Sequence, residues 1–447
     1  MKKESINVAG DGLPKISHGQ GSYVWDTSGK QYIDGSGGPA VYSLGYGHAE
    51  VREAIVNQLD RIMHGYRFTF TSDPLEQLTE ILGNACGGDL NAMVFVCSGS
   101  EAVESALKIA LQYHSARGDM TRRRFIARRR SWHGNTLGAL SVSDFLERRA
   151  PFEGALLDAS FLSQVNAYRP MDGASPETVA QCGAAELEAE IERVGPENIA
   201  AFIFEPVVGA AGGVVPSPTG YAKAVREICD RHGILMIADE VMCGSGRCGS
   251  FRALEFDDVV PDIMTVAKGL AAGYIPIGAA IYRREIHSLL VDAHGGPLTG
   301  HTFTGHTTAC AAAVAVQTVI RRDDLLNRVT ANGPLLLNAL ADALVGVPEI
   351  GDLRGRGHFI GIELVADPAS KRPFDSNHAL YLQVRREAMS RGLICYPSGG
   401  NVDGRLGDCV ILAPPYNASD DELGEIVDKT SASIRAALHN LPRHAWS

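Results

Sequence analysis

The sequence predicts an α/β protein with a mostly parallel central sheet, and three observations support this class. From Asn91 onward, short apolar runs alternate with longer amphipathic segments, as where "AMVFVC" precedes "EAVESALKIALQYHSA". Strands that alternate with helices form βαβ units, which place helices on both faces of a parallel sheet. Hydrophobic residues make up 45% of the 447 residues and charged residues 21%, as in a globular protein with a large core. The sequence also lacks internal repeats and low-complexity tracts.

The first 60 residues predict a strand pair followed by a helix. The strand-like segments "GSYVWD" and "QYIDG" flank "TSGK", which carries turn-forming residues. A glycine-rich stretch follows from Gly35 to His48, and "AEVREAIVNQLDRI" then has a helical pattern.

The middle of the chain predicts the parallel sheet. Its strand-like segments are "RFIARR", "IAAFIFEP", "ILMIADEV" and "IMTVAK", and it also contains the helical segment "YAKAVREICDRHG". Ligands of such sheets bind at the carboxyl ends of the strands. The residues directly after each strand are therefore the candidates for a functional site.

The last part of the chain predicts a smaller α+β unit that begins near Ile320. The pattern runs from helical "DLLNRVTANGPLLLNALADAL" through strand-like "GHFIGIELV" and helical "YLQVRREAMSRG" to strand-like "CVILAPP". Ser419 and Glu422 have the spacing of a capping box, which predicts the start of the last helix.

Composition and charge exclude several classes of function. The formal net charge of -11 argues against a general nucleic-acid-binding role. One basic run, "RRRFIARRR" from Arg122 to Arg130, is interpreted as a solvated strand edge or a subunit contact. The nine cysteines include no C-x-x-C pair, which predicts reduced, mostly buried thiols in a cytoplasmic protein. The start of the sequence has no signal-peptide pattern, and no apolar stretch reaches about 18 residues, so no membrane span is expected.

The first candidate site lies in "CSGSEAVESALKIA", which follows a strand and opens a helix. Ser98 and Glu101 have capping-box spacing. The amides of Gly99 and Ser100 then point out of the helix N-terminus, where anions bind readily. On these residues alone, a plain capped helix is the simpler interpretation. The loop lacks the G-x-x-x-x-G-K-[ST] pattern, which argues against an NTPase.

The second candidate is Asp239, at the carboxyl end of an apolar strand. A buried carboxylate needs a cation or several hydrogen-bond donors, and a helix cap or an internal ion pair would also explain it. The G-x-G-x-x-G spacing of Gly244, Gly246 and Gly249 invites a dinucleotide-binding interpretation. We reject it because at most a short helix follows and two acids interrupt the junction.

The third candidate is Lys268, which ends the apolar strand "IMTVA". A lysine in an apolar site acts as a nucleophilic amine, whereas a lysine at an exposed strand end has no such role. A phosphate cradle, a buried acid and such a lysine at the strand ends of one sheet together predict a pyridoxal 5'-phosphate (PLP) site. PLP needs a lysine imine and an acid at its pyridine nitrogen.

Segments over nearly the whole chain carry a family resemblance. They run from "YVWDTSGKQYIDGSGG" through "SGSEAVESALKIA", "WHGNTLGAL", "FEPVVGAAGGVVP", "ADEVMCGSGRCG" and "AKGLAAGYIPIGA" to "HTFTGH" and "APPY". The sequence resembles the class III aminotransferases, the fold-type I PLP group that includes ω-amino acid and amine transaminases. The resemblance implies a large PLP-binding domain over residues 61–320. It also implies a small α+β domain made from both termini, with residues 1–60 contributing to it and residues 321–447 forming the rest.

The resemblance implies roles for the residues that match the family's motifs. Lys268 would form the Schiff base and move the substrate proton, and Asp239 would contact the pyridine nitrogen. Gly99 and Ser100 would hold the phosphate, and Trp132 would stack on the cofactor ring where the family often has tyrosine. The other residues expected near the cofactor are His133, Val241, Glu205 and Thr302, with Thr302 reaching the phosphate of the neighbouring subunit.

The resemblance also implies an open, weakly charged substrate pocket. Ala210 stands where some family members carry a gateway glutamate, which argues against an ornithine-type or γ-aminobutyrate-type site. Val41 and Tyr42 are expected at the entrance, and Arg405 lies near the loop in which amine transaminases keep a mobile arginine. No metal is expected, because the histidines of "HTFTGH" have no third ligand at helical spacing.

The expected function is transfer of an amino group from an amine or ω-amino acid to a keto acid, pyruvate or 2-oxoglutarate. The transfer would pass through a Lys268 aldimine and pyridoxamine phosphate, in a homodimer or tetramer with shared sites. An epimerase or aminomutase on the same scaffold is one alternative, because protonating the carbanion differently changes the product. A non-catalytic PLP-fold protein or a dinucleotide-binding protein is the alternative from another class.

Overall fold

The computed structural model describes residues 13–442, so the expectation about a signal peptide lies mostly outside the described part. In chain order, the strands are β1 Ile16–Gln20, β2 Tyr23–Asp26, β3 Gln31–Asp34, β4 Leu90–Val96, β5 Arg124–Arg128, β6 Ala159–Leu162, β7 Ile199–Phe204, β8 Val207–Val208, β9 Val215–Pro216, β10 Leu235–Asp239, β11 Ile263–Val266, β12 Gly278–Arg283, β13 Ile350–Arg356, β14 Phe359–Leu364, β15 Leu393–Ile394, β16 Tyr396–Gly399 and β17 Asp408–Leu412. The α-helices are α1 Gly37–Ala40, α2 Ala49–Arg61, α3 Asp73–Cys86, α4 Gly99–Ala116, α5 Leu137–Ser141, α6 Leu146–Arg149, α7 Val179–Val194, α8 Tyr221–His232, α9 Arg284–His294, α10 Thr307–Arg322, α11 Leu325–Ala343, α12 Leu380–Ser390 and α13 Asp420–His439.

Seven strands form the central sheet, in the order β4-β12-β11-β10-β7-β5-β6. Five neighbouring strands from β11 to β6 are parallel, whereas β12 runs antiparallel to both of its neighbours. The apolar runs form strands here because both faces of the sheet are covered, and every residue of β7 and β10 is buried. The sheet is therefore mostly parallel, as the sequence predicts.

Alternate residues of the central strands pack on opposite faces of the sheet. Ile203 and Ile237 lie in the core that α4 and α9 cover. Their neighbours Phe202 and Met236 lie in the core that α7 and α8 cover. Because the sheet has helices on both faces, its carboxyl edge is the open place at which a ligand can reach the strand ends.

The N-terminal and C-terminal parts of the chain share a second unit. Strand β3 pairs with β15 in the sheet β1-β2-β3-β15, with Ile33 opposite Leu393. Ile33 also packs in the core that α11, α12 and α13 surround. These contacts support the division that we propose, in which residues 1–60 and 321–447 contribute to the small domain and residues 61–320 form the large one. Helix α2 packs against α10 and so joins the two units.

The basic run from Arg122 to Arg130 contains two side chains that the protein buries. Strand β5 lies between β7 and β6, and Arg128 and Arg130 are 2% and 3% exposed. Arg128 donates to the carbonyl oxygen of Glu205, and Arg130 donates to the carbonyl oxygens of Asp144 and Ala211. The interpretation as a solvated edge or subunit contact is wrong for these two arginines, because backbone carbonyls replace the water around them.

The thiols agree with the sequence-based expectation. All nine cysteines are free, and seven of them are buried.

Between residues 13 and 442, no helix is both long and apolar enough to pass through a membrane. Within the same range, no three side chains of the His, Cys, Asp or Glu types gather as a metal site requires.

Candidate active site

A cavity of about 400 Å³ lies at the carboxyl edge of the central sheet, within the usual size of small-molecule sites. It lies where β4, β7, β10 and β11 end and where α4 begins. Eleven of the residues selected from the sequence line it: Val41, Tyr42, Gly99, Ser100, Trp132, His133, Glu205, Ala210, Asp239, Val241 and Lys268. Sequence positions from 41 to 268 thus meet in one place.

Asp239 is held at the end of β10 by three donors. Its Oδ1 accepts from the Val241 amide and from the Thr265 hydroxyl, each at 3.0 Å. Its Oδ2 lies 2.7 Å from Nδ1 of His133. The parallel register places Asp239 opposite Thr265 on β11, so the sheet itself brings the hydroxyl to the carboxylate. Asp239 is only 3% exposed, and its position in the cavity is fixed on both oxygens.

Lys268 follows β11 and lines the cavity beside Asp239. Its φ of +38° lies in the left-handed region, which residues with a side chain adopt rarely. Burial lowers the pKa of Lys268, and the carboxylates of Asp239 and Glu205 oppose this shift. The lysine therefore releases its proton more easily than a lysine in water, which favours a nucleophilic amine.

The N-terminus of α4 forms one wall of the cavity. Ser98 caps the helix by accepting from the Glu101 amide at 3.1 Å. The amides of Gly99 and Ser100 are the first of the helix and have no carbonyl of a preceding turn to bind. A Cβ on Gly99 would lie 2.8 Å from Val241, and one on Gly134 would lie 2.6 Å from the Ser100 hydroxyl. The backbone is packed closely around a spot where an anion would meet free N–H groups.

The segment from Trp132 to His133 is fixed by buried polar groups. Glu205, at 4% exposure, accepts from the Trp132 amide at 2.9 Å and from the Gly209 amide at 2.8 Å. Burial raises the pKa of Glu205, and the nearby His133 opposes this shift. His133 Nε2 is buried and has no hydrogen-bond partner within residues 13–442. This atom is a polar group at the cavity that a ligand or a water can satisfy.

The entrance of the cavity is formed in part by the loop that carries Val41 and Tyr42. A Cβ on Gly273 would lie 2.6 Å from the Tyr42 ring, and a Cβ on Gly38 would also collide with that ring. Both glycines have positive φ angles, so a side chain at either position would be strained as well as crowded. Burial raises the pKa of Tyr42. Ala210 lines another part of the cavity and contributes no charge.

Two of the residues selected from the sequence do not line the cavity of their own chain. Thr302 is exposed, and the carbonyl oxygen of Thr302 lies 3.3 Å from Nε2 of His64. Arg405 is also exposed, and its amide donates to the carboxylate of Asp403. The structure thus brings the two residues to the surface of this chain.

Sequence reasoning assigned no role to two residues that shape the site. Thr265 bonds to Asp239, and the signal was a single polar residue inside the apolar strand "IMTV". Gly134 packs its backbone against Ser100, and its φ of +141° is one that glycine adopts freely. Its sequence signal was only its place directly after Trp132 and His133.

The residues in the cavity fit PLP. The first amides of α4 and the crowded glycines form a cradle for a phosphate, and Lys268 offers an amine for the aldehyde. The carboxylate of Asp239 suits a protonated ring nitrogen, and the unpartnered Nε2 of His133 marks a polar position that awaits a ligand. Trp132 adds a flat aromatic surface. Every group that PLP requires has a counterpart at the open edge of the sheet.

A mostly parallel sheet with this constellation at its strand ends defines a PLP-dependent enzyme. A sequence model of the family Aminotransferase class-III matches residues 8–434. The chain belongs to this family.

Relatives and solved structures agree with this assignment. The aminotransferase YodT of Bacillus subtilis is 40% identical over 96% of this chain and 97% of its own length. An adenosylmethionine-8-amino-7-oxononanoate aminotransferase of Nitratidesulfovibrio vulgaris is 34% identical over 97% of this chain and 79% of its own length.

Among solved structures, an amine transaminase of an uncultivated Pseudomonas species in its PLP-bound form has a TM-score of 0.90 and 33% identity. The match covers 98% of this chain and 99% of that one. An (S)-enantioselective omega-transaminase from Thermomicrobium roseum has a TM-score of 0.89 and 33% identity, over 96% and 93% of the two chains. The protein is therefore a PLP-dependent class III aminotransferase of fold type I, and the predicted family, fold and cofactor are confirmed.

Proposed function

We propose that the protein transfers an amino group from an amine or ω-amino acid to a keto acid, pyruvate or 2-oxoglutarate, in this cavity. The observation that carries the proposal is that Lys268, Asp239 and the N-terminus of α4 line one cavity. When bound there, PLP supplies an aldehyde that accepts the amino group and a ring that withdraws electrons from the substrate. The solved neighbours described as amine and omega-transaminases support donors of this class.

In the proposal, Lys268 and Asp239 have different chemical roles. Lys268 has a lowered pKa because of burial, so its amine serves as nucleophile and then as the base that moves a proton on the substrate carbon. Asp239 presents its carboxylate to the ring nitrogen and keeps that nitrogen protonated. The three donors on Asp239 prevent the carboxylate from turning away.

In the proposal, the remaining residues of the cavity bind and position the cofactor and the amine substrate. The amides of Gly99 and Ser100 bind the phosphate, with Val241 packed against Gly99. Trp132 stacks on the ring, and Glu205 keeps Trp132 in place through its backbone amide. The uncharged Ala210, Val41 and Tyr42 leave room for an amine side chain, and they line the cavity without a carboxylate.

The proposed setting is a cytoplasmic homodimer or tetramer with shared active sites. Residues 63–70 pack beside residues 302–307 and form one face, in which Phe68, Phe70 and Phe303 are 73%, 67% and 54% exposed. A second copy of the chain would cover this apolar face and would bring Thr302 to the other cavity. The nine free thiols support a reducing compartment.

A panel of amines and keto acids tests the proposed reaction. The purified protein should show a visible cofactor band that an amine donor bleaches and a keto acid restores. Without a keto acid, product should stop at one equivalent per site. Continued turnover without an acceptor would instead support an epimerase or aminomutase.

Lys268→Ala is expected to abolish turnover while the protein stays folded, because the apolar strand before it is unchanged. Borohydride should attach the cofactor covalently to Lys268 in the wild type and to no residue in the variant, as detected by mass spectrometry of peptides. Retention of wild-type turnover in the variant would contradict the role of Lys268.

Asp239→Asn is expected to slow proton abstraction by roughly 10³-fold or more, comparable with the loss of other key electrostatic partners. Asparagine keeps the shape of the side chain and removes its charge. Single-turnover kinetics with an amine donor measure the step directly. A change of only a few-fold would contradict the role of Asp239.

A further inference from the structure

Helix α10 buries a large polar side chain, Gln317, to which the proposed reaction gives no role. Gln317 is 6% exposed, and its neighbours on the buried face of the helix are the apolar Ala313, Val316 and Ile320. Burying an amide costs free energy unless new hydrogen bonds replace those that it made with water. The hydrogen-bond partners of Gln317 therefore indicate what this side chain does on an otherwise apolar face.

The amide of Gln317 binds the turn that begins at Lys268. Its Nε2 donates to the carbonyl oxygen of Leu270 at 2.9 Å and to that of Gly269 at 3.4 Å. An amide nitrogen carries two hydrogens, so it can donate to both oxygens. Lys268, Gly269 and Leu270 form this single helical turn, which packs against α10. Gln317 thus holds the two residues that directly follow the lysine of the candidate site.

Packing contacts confine the same turn. A Cβ on Gly269 would lie 3.3 Å from Ser245 and 3.4 Å from the hydroxyl of Tyr416. Tyr416 is fully buried, and its hydroxyl donates to the carbonyl oxygen of Ser245 at 3.1 Å. These contacts limit where Gly269 can lie, but they do not bind its carbonyl oxygen. The hydrogen bonds from Gln317 therefore add an orientation that packing alone does not supply.

The turn needs this support because of the backbone conformation of Lys268. A residue with a side chain keeps a φ such as +38° only where its surroundings hold the backbone. The backbone conformation in turn determines which rotamers the side chain can adopt. If the turn relaxed to an ordinary conformation, the Lys268 amine would leave its place beside Asp239 in the cavity.

We propose that Gln317 is a positioning residue that fixes the turn after Lys268 and so directs the lysine amine toward the cofactor. This inference rests on the proposed function, in which Lys268 is the nucleophile. Gln317 is not among the residues that line the cavity. It therefore acts through the backbone of Lys268 and contacts neither cofactor nor substrate.

A thermodynamic cycle of PLP affinities tests the proposal. Gln317→Met keeps the length of the side chain and a residue that favours helix, and it removes the donor. PLP is titrated into four apoproteins: the wild type, Gln317→Met, Lys268→Ala and the double variant. Gln317→Met alone should lower PLP affinity by about ten-fold, because the turn loses two hydrogen bonds. In the Lys268→Ala background it should have almost no effect, because no amine is left to direct.

A kinetic measurement follows Lys268 itself. PLP is mixed with the apoprotein, and its covalent link to Lys268 is fixed with borohydride after increasing times and measured by mass spectrometry of peptides. Gln317→Met should slow the formation of this link at saturating PLP, because the amine spends less time in the reactive position.

Gln383→Met is the matched control. Gln383 lies on α12, and its amide also donates to a backbone carbonyl, that of His378, at 2.9 Å. Gln383 does not line the cavity, so Gln383→Met should leave both PLP affinity and the rate of linkage unchanged. Gln317→Asn is a milder second variant, because it keeps an amide on α10 but is one methylene shorter. It should fold even if Gln317→Met does not, and it should lose PLP affinity only when Lys268 is present.

Two outcomes would overturn the role of Gln317. Equal losses of PLP affinity with and without Lys268 would show that Gln317 supports the cavity as a whole. No loss in either background, with an unchanged rate of linkage, would show that packing alone holds the turn. The proposed function fails by a different result: Lys268→Ala would then keep wild-type PLP affinity, and borohydride would fix no cofactor on Lys268 of the wild type.

Discussion

Helices α4 and α13 begin with the same S-x-x-E motif, but their N-termini lie in different surroundings. In α4, Ser98 accepts from the Glu101 amide at 3.1 Å, and in α13, Ser419 accepts from the Glu422 amide at 3.2 Å. The helix α13 begins in the small domain, whereas α4 begins at the cavity. A capping motif thus predicts where a helix starts, but it does not predict whether that N-terminus binds a ligand.

The difference lies in the residues between the serine and the glutamate. In α13 these are Asp420 and Asp421, and Glu422 also returns to the Ser419 amide at 2.7 Å. Three acids therefore offset the positive end of the helix dipole from within the chain. In α4 the two positions are uncharged, and Glu101 reaches back to the Cys97 amide at 2.7 Å instead. The positive end of α4 is left for a ligand.

Ser100→Asp would give α4 the character of α13, and it is the change with the largest expected effect. A carboxylate about 4 Å from a phosphate costs roughly 4 kcal/mol at an effective dielectric constant of 20. PLP affinity should therefore fall by a hundred-fold or more, measured by titrating the apoprotein with PLP. The apoprotein should be as stable as the wild type or more so, because an acid in the first turn favours the helix.

Ser100→Asn is the matched control, because asparagine has the size of aspartate without its charge. Its side-chain oxygen can still accept from the Asn135 amide, as the serine hydroxyl does at 2.9 Å. It should lose much less PLP affinity than Ser100→Asp. Equal losses in the two variants would mean that crowding, and not charge, governs this wall of the cavity.

Thr302→Val tests whether the anion site of α4 is completed by a second subunit. If Thr302 reaches the phosphate of the neighbouring subunit, its hydroxyl adds one charge-assisted hydrogen bond, worth roughly 1.5–3 kcal/mol. Valine keeps the shape and removes the donor, so PLP affinity should fall by about ten- to a hundred-fold. Unchanged affinity would leave α4 as the main anchor of the phosphate.

Hybrid dimers show to which site Thr302 belongs. One subunit carries Lys268→Ala and the other carries Thr302→Val. If the site is shared, both defects fall on one site of each hybrid, and half of the sites bind PLP with full affinity and turn over normally. If Thr302 serves its own chain, no wild-type site exists in the hybrid. Weakened affinity at every active site would then contradict a shared site.

Residues at strand ends were predictable because their signal is local. Asp239 ends the apolar strand β10, and Lys268 follows β11, whose one polar residue is Thr265, so both charged residues are evident candidates for a site at the strand ends. The cap at Ser98 was also correct. The second half of the α4 capping box was not, since Glu101 bonds to Cys97 and not to Ser98. Which amide a glutamate reaches depends on the path of the preceding loop, which no spacing reveals.

Features that depend on contacts between residues distant in sequence could not be predicted from the sequence. An apolar run does not reveal its direction, so the antiparallel β12 inside a parallel sheet could not be foreseen. Arg128 was interpreted as part of a solvated edge or a subunit contact because its neighbours in sequence are charged, whereas the carbonyl oxygen of Glu205, distant in sequence, accepts its hydrogen bond.

Ser419→Ala is expected to have the smallest effect, and it tests the cap of α13. Removing the cap leaves the Glu422 amide without its partner, which costs about 1 kcal/mol of unfolding free energy. The loss is limited because Ser419 is exposed and water can replace the hydroxyl. PLP affinity should not change, since α13 does not reach the cavity.

Ser98→Ala is the counterpart: it should cost a similar amount of stability and also weaken PLP binding. Urea unfolding of the apoproteins and PLP titration measure the two quantities separately. If Ser419→Ala weakened PLP binding as much as Ser98→Ala, the two helix ends would be coupled through the fold, and the division of tasks between α4 and α13 would be wrong.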